Sequence, residues 1–193
     1  MNSQGYTLFF GKLSKYNTIG NRLIEQDYKL ISFYEEDELY FFTKYVASDS
    51  WIKLDKMALE TLKKVFPKYL EWEAKAIDEK VKIQKDIPDS NINTSVFWKA
   101  ILDNSWRMGT DLNLTSTFFS QSESRHQLVI ETNEILAAFS ESDKFKLQLY
   151  FDKEQVIELQ NAISEQSLAD GFAKAKEDLE KLAKSAAAES SFT

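Results

Sequence analysis

Aromatic and β-branched residues fill three short runs near the start of this sequence, at Tyr6–Lys12, Tyr28–Tyr34 and Leu39–Val46. Residues of this kind suit a pleated, half-buried surface, so each run predicts a β-strand. Neighbouring positions of a strand point to opposite sides, so the adjacent Phe9 and Phe10 place a ring on each side of the first strand. Such a strand either lies between two layers or exposes one side to a ligand.

A helical pattern follows Trp51–Leu54, which predicts a fourth, short strand. Asp55 is a suitable N-cap, because its carboxylate can accept hydrogen bonds from the free N–H groups of the first helical turn. Pro67 lacks a backbone N–H and is expected to divide this helix, so that a second helical piece begins at Tyr69. Further strands are predicted at Ser95–Leu102, Asp111–Phe118, His126–Thr132 and Phe145–Phe151.

The junction between strand and helix recurs in the second half of the sequence. Ile52–Lys56 is followed by apolar residues at helical spacing, and so is Leu149–Lys153, where Asp152 takes the place of Asp55. This alignment predicts a duplicated unit of several antiparallel strands followed by a helix. The alternative is that both junctions share only the Asp cap and the apolar residues that any strand-to-helix turn favours.

The predicted fold class is α+β, with two repeats of antiparallel strands followed by a helix. The repeats are expected to form pseudo-symmetric sheets with the helices packed on one side. A single domain would cover residues 1–183, with repeats at about 6–87 and 92–164 and a C-terminal helix at 165–183. Residues 184–193 are expected to form a flexible tail. The hydrophobic share of 43% in 193 residues is sufficient for a core.

Several classes of function are excluded by composition. The sequence has no cysteine and a single histidine, His126, which argues against cysteine nucleophiles, Ser-His-Asp triads and multi-histidine metal sites. His126 is expected at the surface or at a sheet edge. The acidic run Glu35–Glu38 lacks the spacing of a calcium loop and predicts a solvated hairpin tip. No catalytic residue, metal site or cofactor is therefore predicted, and the chain is not expected to be an enzyme.

The expected location is the cytoplasm, without a membrane partner. No apolar run approaches the roughly 18 residues that a membrane helix needs. The first residues, Met1–Gly5, lack the basic and apolar regions of a secretory signal.

The order of strands and helix resembles the single-stranded-DNA-binding transcriptional coactivators of the positive cofactor four type. The segments that carry this resemblance are Tyr6–Lys12, Lys29–Phe33, Leu39–Tyr45 and Trp51–Leu62. The doubled unit resembles the Whirly and PUR relatives, which carry two sheets and two helices, and it would cover about residues 6–163.

This resemblance implies a sheet face on which aromatic rings stack on bases and basic side chains contact phosphates. For any single ring the alternative is an ordinary place in the core. Trp106 and Arg107 are expected in a turn, and the other candidates on strands. The predicted nucleic-acid-binding residues are Phe10, Lys12, Lys29, Tyr40, Phe42, Lys44, Trp98, Lys99, Trp106 and Arg107.

Two functions remain open from the sequence. The first is non-enzymatic binding of single-stranded nucleic acid. The second is an acidic protein–protein interaction or assembly module that forms homo-oligomers without nucleic acid, which suits the net charge of −7. Homo-oligomers are expected in either case, because exposed sheet edges and surplus aromatic residues need cover. One basic sheet face would favour the first function, and scattered charge the second.

Overall fold

The computed structural model describes residues 5–17, 22–33, 38–45, 48–99, 105–136 and 144–190. Its helices are Lys56–Glu79 (α1), Lys153–Ala162 (α2) and Glu165–Ser190 (α3). Its strands are Gly5–Asn17 (β1), Arg22–Phe33 (β2), Glu38–Tyr45 (β3), Ser48–Leu54 (β4), Gln84–Asp86 (β5), Ile92–Lys99 (β6), Trp106–Ser122 (β7), Arg125–Thr132 (β8), Ile135–Leu136 (β9), Lys144–Phe145 (β10) and Gln148–Phe151 (β11). The α+β class and the antiparallel sheet are confirmed.

The main sheet closes on itself. Its strand order is β5-β7-β6-β4-β3-β2-β1-β11-β8, and β7 also pairs with β8, while β9 and β10 form a small separate sheet. From β1 round to β11, each strand of this ring has a neighbour on both sides. Within the described ranges, β5 and the small β9–β10 sheet have strands with one neighbour only, so the expectation of subunit contacts at exposed sheet edges is limited to these short strands.

One side of the sheet, which we call the inner face, forms the core. It carries alternate residues of successive strands, here represented by Leu13, Tyr28, Phe41, Ile52, Val96, Trp98, Phe118, Leu128 and Phe151. Buried side chains of α1 and α2 join the same cluster. The Tyr28 and Phe41 rings stack with 4.6 Å between centroids, and the rings of Tyr69 in α1 and Phe118 in β7 lie 5.7 Å apart.

Helix α1 begins as predicted but does not divide at Pro67. The Asp55 side chain accepts a hydrogen bond from the Ala58 backbone N–H at 2.8 Å, which confirms the N-cap. The helix then continues through Pro67 to Glu79. Pro67 is exposed, whereas Phe66 and Tyr69 beside it are fully buried. Burial of these rings offsets the cost of a proline inside a helix, which is about 3 kcal/mol.

The C-terminal helices confirm one prediction and correct another. Asp152 caps α2 in a reciprocal arrangement with Gln155, as the aligned junctions suggest. Helix α3 does not end at residue 183 but extends to Ser190, through part of the predicted flexible tail. Alanine-rich sequence favours a helix, and the Glu177–Lys181 ion pair at 2.7 Å supports the preceding turn.

Strand boundaries differ from the sequence pattern where tertiary pairing extends them. Strand β6 starts at Ile92 rather than Ser95, and residues 100–102 of the predicted strand lie outside the described ranges. Strand β7 starts at Trp106, because its first residues pair with the end of β6. Residues 35–37 of the predicted hairpin tip also lie outside the described ranges, and Glu38 begins β3.

The predicted strand Phe145–Phe151 is divided into β10 and β11. Between them the Leu147 backbone N–H donates to Thr132 Oγ1 at 3.0 Å. Leu147, Leu149 and Phe151 are all buried, so the predicted apolar face of this segment is confirmed at these positions. Within the described ranges, none of the helices has the length and apolar character needed to cross a membrane.

Candidate functional site

The side of the sheet that points away from the core, which we call the outer face, carries a second set of aromatic rings. Strand alternation assigns residues to it, because each lies beside a buried inner-face residue, as Phe42 lies beside Phe41. Its large apolar side chains are Phe10, Phe33, Tyr40, Phe42, Trp51, Phe97, Trp106 and Met108.

Four of these rings and Met108, together with one lysine, form a line across the sheet, which we call the aromatic row. Direct cross-strand pairs link β1, β2, β3, β4, β6 and β7 in turn, and the residues of the row are Phe10, Lys29, Phe42, Trp51, Phe97 and Met108. Neighbouring strands lie about 4.8 Å apart, so the row spans about 24 Å. A surface of this length matches an extended ligand better than a single small molecule.

Trp51 is at the centre of the ring contacts on the outer face. Its centroid lies 4.7 Å from that of Phe42, 5.8 Å from Phe33, and 6.4 Å from both Tyr40 and Trp106. Tyr40 is only 8% exposed and donates its hydroxyl hydrogen bond to Glu38 Oε2 at 2.6 Å. It therefore supports the surrounding rings and is not itself an open stacking surface, which corrects its predicted role.

Both ends of the outer face are open to solvent. Phe10 is 65% exposed at one end, and Trp106 and Met108 are 55% and 57% exposed at the other. Phe42 and Phe97 between them are half-buried. Contiguous apolar surface of this kind is typical of an interaction site in a folded protein.

Three of the predicted lysines flank these rings. Lys29 Nζ lies 5.2 Å above the Phe10 ring, a cation–π contact inside the aromatic row. Lys44 follows Phe42 on β3, and Lys99 pairs across the strands with Trp106. Alternation places both on the outer face. The predicted association of rings and basic side chains is present for these positions.

The other lysines of the outer face are neutralised. Lys12 Nζ lies 2.6 Å from Asp27 Oδ1 and 3.3 Å from Glu25 Oε1, and these hydrogen bonds, that of Asp27 above all, raise the pKa of Lys12. Lys53 is paired with Glu38. Charge on the outer face is therefore mixed, and it does not form the single basic face that would decide between the two predicted functions.

Two predicted binding residues lie on the wrong side of the sheet. Trp98 is 5% exposed and packs in the core, so its predicted role in stacking is wrong. Arg107 pairs with it across the strands and shares its face by alternation, which corrects the predicted turn and the predicted position of Arg107. The stacking position on β6 belongs instead to the neighbouring Phe97.

Sequence reasoning also missed Phe33, Trp51 and Met108. Trp51 and Phe33 stand in segments that were predicted as strands, and alternation with buried neighbours is the signal that could have found them. Met108 carries no such signal, because only its pairing with Phe97 places it on this surface.

His126 is a buried structural residue, so its predicted surface position is wrong. Its Nδ1 lies 2.8 Å from Ser120 Oγ, and its Nε2 lies 3.2 Å from the backbone oxygen of Glu123. The ring also stacks on Phe118 at 5.4 Å. Among the residues that the structure describes, no group of three or more His, Asp or Glu side chains could hold a metal ion.

Comparison with other proteins supplies no relative from which a function could be transferred. The resemblance to the coactivator, Whirly and PUR proteins stays a prediction from element order, and the outer face remains the feature with chemistry to explain. No protein-family model, curated protein or solved structure matches this chain.

Proposed function

We propose that this chain is a non-enzymatic protein that binds single-stranded nucleic acid on its outer face. The observation that carries the proposal is the aromatic row, a line of rings across neighbouring strands with exposed aromatic side chains, Phe10 and Trp106, near its two ends. Stacking of a base on an aromatic ring contributes about 1–3 kcal/mol and tolerates any base. Several rings in line would therefore bind several successive bases, whatever the base sequence of the nucleic acid.

The lysines next to the rings would contact the backbone of the same strand. Lys29, Lys44 and Lys99 lie on the outer face beside aromatic residues. In a duplex the base faces are already stacked, whereas a single strand can turn its bases onto protein rings, so single strands are the expected ligand. Contacts between these lysines and phosphates release counterions, so the affinity should fall as the salt concentration rises. The acidic partners of Lys12 and Lys53 oppose phosphate binding at those two positions.

We also propose that the fold arose from a duplicated unit. Strands β1 to β4 precede α1, while β6, β7, β8 and β11 contribute to the ring before α2, and an aspartate caps each helix. This order supports two repeats within one domain, and it agrees with the resemblance to Whirly and PUR proteins, whose sheets bind single strands.

A second candidate is an assembly module without nucleic acid, in which the outer face meets another subunit. The observation in its favour is the mixed charge around the rings, with Lys12 and Lys53 already paired to carboxylates. The net charge of −7 also opposes contact with a polyanion. This candidate predicts a stable homo-oligomer whose formation is indifferent to oligonucleotides.

The deciding experiment is a fluorescence-anisotropy titration of a labelled, mixed-sequence single strand at low and high salt, with a duplex of the same sequence as control. The proposal expects binding of the single strand that weakens as salt rises, and much weaker binding of the duplex. Absence of binding at low salt would contradict it. A stable oligomer in sedimentation velocity would then favour the second candidate.

Substitutions test whether binding occurs on the outer face. Phe97→Ala and Trp106→Ala each remove one stacking ring and should weaken binding by roughly 5- to 150-fold, which corresponds to about 1–3 kcal/mol. The matched control is Phe172→Ala, since Phe172 is a 43% exposed ring on α3. Normal binding by folded variants at both Phe97 and Trp106 would exclude this site.

A further inference from the structure

A cleft of about 600 Å³ lies where the end of β4 and the first turns of α1 meet β6. Its lining is mainly uncharged and polar, and we call it the polar cleft. The residues that give it this character are Thr61, Asn91, Asn93, Thr94, Ser95 and Thr110. Its volume falls within the range of about 300–1,000 Å³ in which proteins bind small organic groups.

The polar cleft opens beside the aromatic row. Lys53 and Ser95 both line it, and each lies two residues from a ring of the row, Trp51 on β4 and Phe97 on β6. Positions two apart on a strand share a face and are separated by about 7 Å. The mouth of the cleft therefore lies about 7 Å to one side of a nucleic-acid strand that follows the row, and a base that turns off the row at Trp51 and Phe97 would enter it.

The charges of the polar cleft favour a neutral occupant. Lys53 is already paired with Glu38, and Asp55 contributes a carboxylate that would repel a phosphate. The N–H of Ala58 in the first turn of α1 is bonded to that carboxylate. A nucleobase is the uncharged part of a nucleotide, and its edge carries hydrogen-bonding groups that amide and hydroxyl side chains can match.

We propose that the polar cleft binds one adenine base of the single strand that the proposed function places on the aromatic row. The side-chain amides of Asn91 and Asn93 each present a donor beside an acceptor, the pattern that complements adenine N6–H and N7. On this Hoogsteen edge guanine presents two acceptors, O6 and N7. The Watson–Crick edge of a single strand is free as well, and adenine is the base that offers a donor beside an acceptor on both edges, N6–H with N7 and N6–H with N1, one pair for each amide. The interface therefore combines a row that tolerates any base with one position that selects adenine.

The experiment compares oligo(dT) with versions in which one central position is dA, dC or dG, by anisotropy at a single salt concentration. The single dA should tighten binding by about tenfold, within the range measured for a bidentate amide contact. Asn91→Leu with Asn93→Leu should reduce the ratio of the affinity for the dA-containing oligonucleotide to that for oligo(dT) to about one, and this ratio is the quantity compared between variants. The control is Asn113→Leu, because Asn113 is exposed and pairs with Asn93 but does not line the cleft.

The outcomes separate this inference from the proposed function on which it rests. Equal affinity for all four oligonucleotides, or preference for a base other than adenine, overturns the inference and leaves the proposed function standing. Retention of the dA preference by the Asn91 and Asn93 variant overturns the assignment to the polar cleft. Absence of binding to every oligonucleotide overturns both. Thermal unfolding verifies that the variant is folded, and Asn91→Ala with Asn93→Ala replaces it if it is not.

Discussion

Both faces of the sheet carry aromatic side chains, but those of the inner face are buried and several of those on the outer face are open to solvent. Phe41 and Phe42 are neighbours on β3, yet Phe41 is 4% exposed in the core and Phe42 is half-buried on the outer face. Phe151 is fully buried against Tyr28 and Phe41, whereas Phe10 is 65% exposed. The side that receives the buried faces of the helices becomes the core, and the other side keeps its rings accessible.

This difference in burial separates the aromatic residues that contribute much to folding stability from those that contribute little. Full burial of a phenylalanine side chain contributes about 1.5–3 kcal/mol relative to an exposed one, and Phe151 obtains all of it. Phe10, which is 65% exposed, gains only a small part of this burial free energy. Burial therefore does not account for the exposed rings of the outer face, Phe10 and Trp106, which the proposed function assigns to a ligand.

The largest expected effect is the difference between Phe151→Ala and Phe10→Ala, the same chemical change on opposite faces. Phe151→Ala should lower the free energy of unfolding by about 3–5 kcal/mol, because it leaves a cavity in the core. Phe10→Ala should lower it by about 1 kcal/mol or less, since it loses mainly the contact with Lys29. Urea unfolding measures both, and similar losses would contradict the division into two faces.

Alkaline pH should weaken the inner face through its tyrosines. Burial raises the pKa of Tyr28 and of Tyr69, and the nearby carboxylates of Glu158 and Glu73 respectively add to the shift. Above pH about 10 these tyrosines ionise in the unfolded chain but keep their protons in the folded one. The free energy of unfolding should therefore fall as pH rises through this value, by up to about 1.4 kcal/mol per pH unit for each tyrosine.

Urea unfolding between about pH 9 and about pH 11 measures this slope. The control is the variant that combines Tyr28→Phe with Tyr69→Phe, in which the decline should be shallower. Equal slopes in the variant and the natural sequence would show that these two hydroxyls do not cause it.

The same two tyrosines allow a finer comparison within the core at neutral pH. The Tyr69 hydroxyl donates to the backbone oxygen of His126 at 3.0 Å, whereas the buried Tyr28 hydroxyl has no hydrogen-bond partner among the residues that the structure describes. Tyr69→Phe should therefore lower the free energy of unfolding by about 1 kcal/mol, and Tyr28→Phe should leave it unchanged or raise it. Chemical denaturation of the two single variants measures these changes in the free energy of unfolding. A larger decrease for Tyr28→Phe than for Tyr69→Phe would contradict the prediction.

A stabilising substitution of similar size is expected outside both faces, at the end of α1. Lys80 is the C-cap with φ 52° and ψ 46°, a left-handed conformation that favours glycine. Lys80→Gly should raise the free energy of unfolding by about 1 kcal/mol. Lys80→Ala is the control, because it removes the side chain and keeps the strain. Thermal unfolding distinguishes them, and equal stability of both variants would exclude the backbone as the cause.

Local features of the fold could be predicted from the sequence because they depend on neighbouring residues. Asp55 and Asp152 cap their helices as expected, since a cap needs only the N–H groups of the next turn. The buried side of β11 could likewise be predicted from the sequence, because Leu149 and Phe151 alternate with the more polar Gln148 and Tyr150.

The candidate site was predicted only in part, because both sides of its strands carry rings. Phe97 and Trp98 are adjacent aromatic residues, and alternation alone does not say which one faces the core. The packing of α1 decides this, because its buried side chains join Ile52, Val96 and Trp98 on one side of the sheet. His126 became buried for a similar reason, since Phe118 and Ser120 reach it only after β7 and β8 pair.

By itself the sequence determined the α+β class, the identity of most strands and helices, and a surplus of aromatic residues beyond one strand face. These properties follow from composition, period and capping, all of which act over a few residues. Only the tertiary structure decided that the sheet closes on itself, which rings line up across β1 to β7, and where the polar cleft opens. Strand register depends on packing between distant segments, and a shift of one residue would exchange the inner and outer faces.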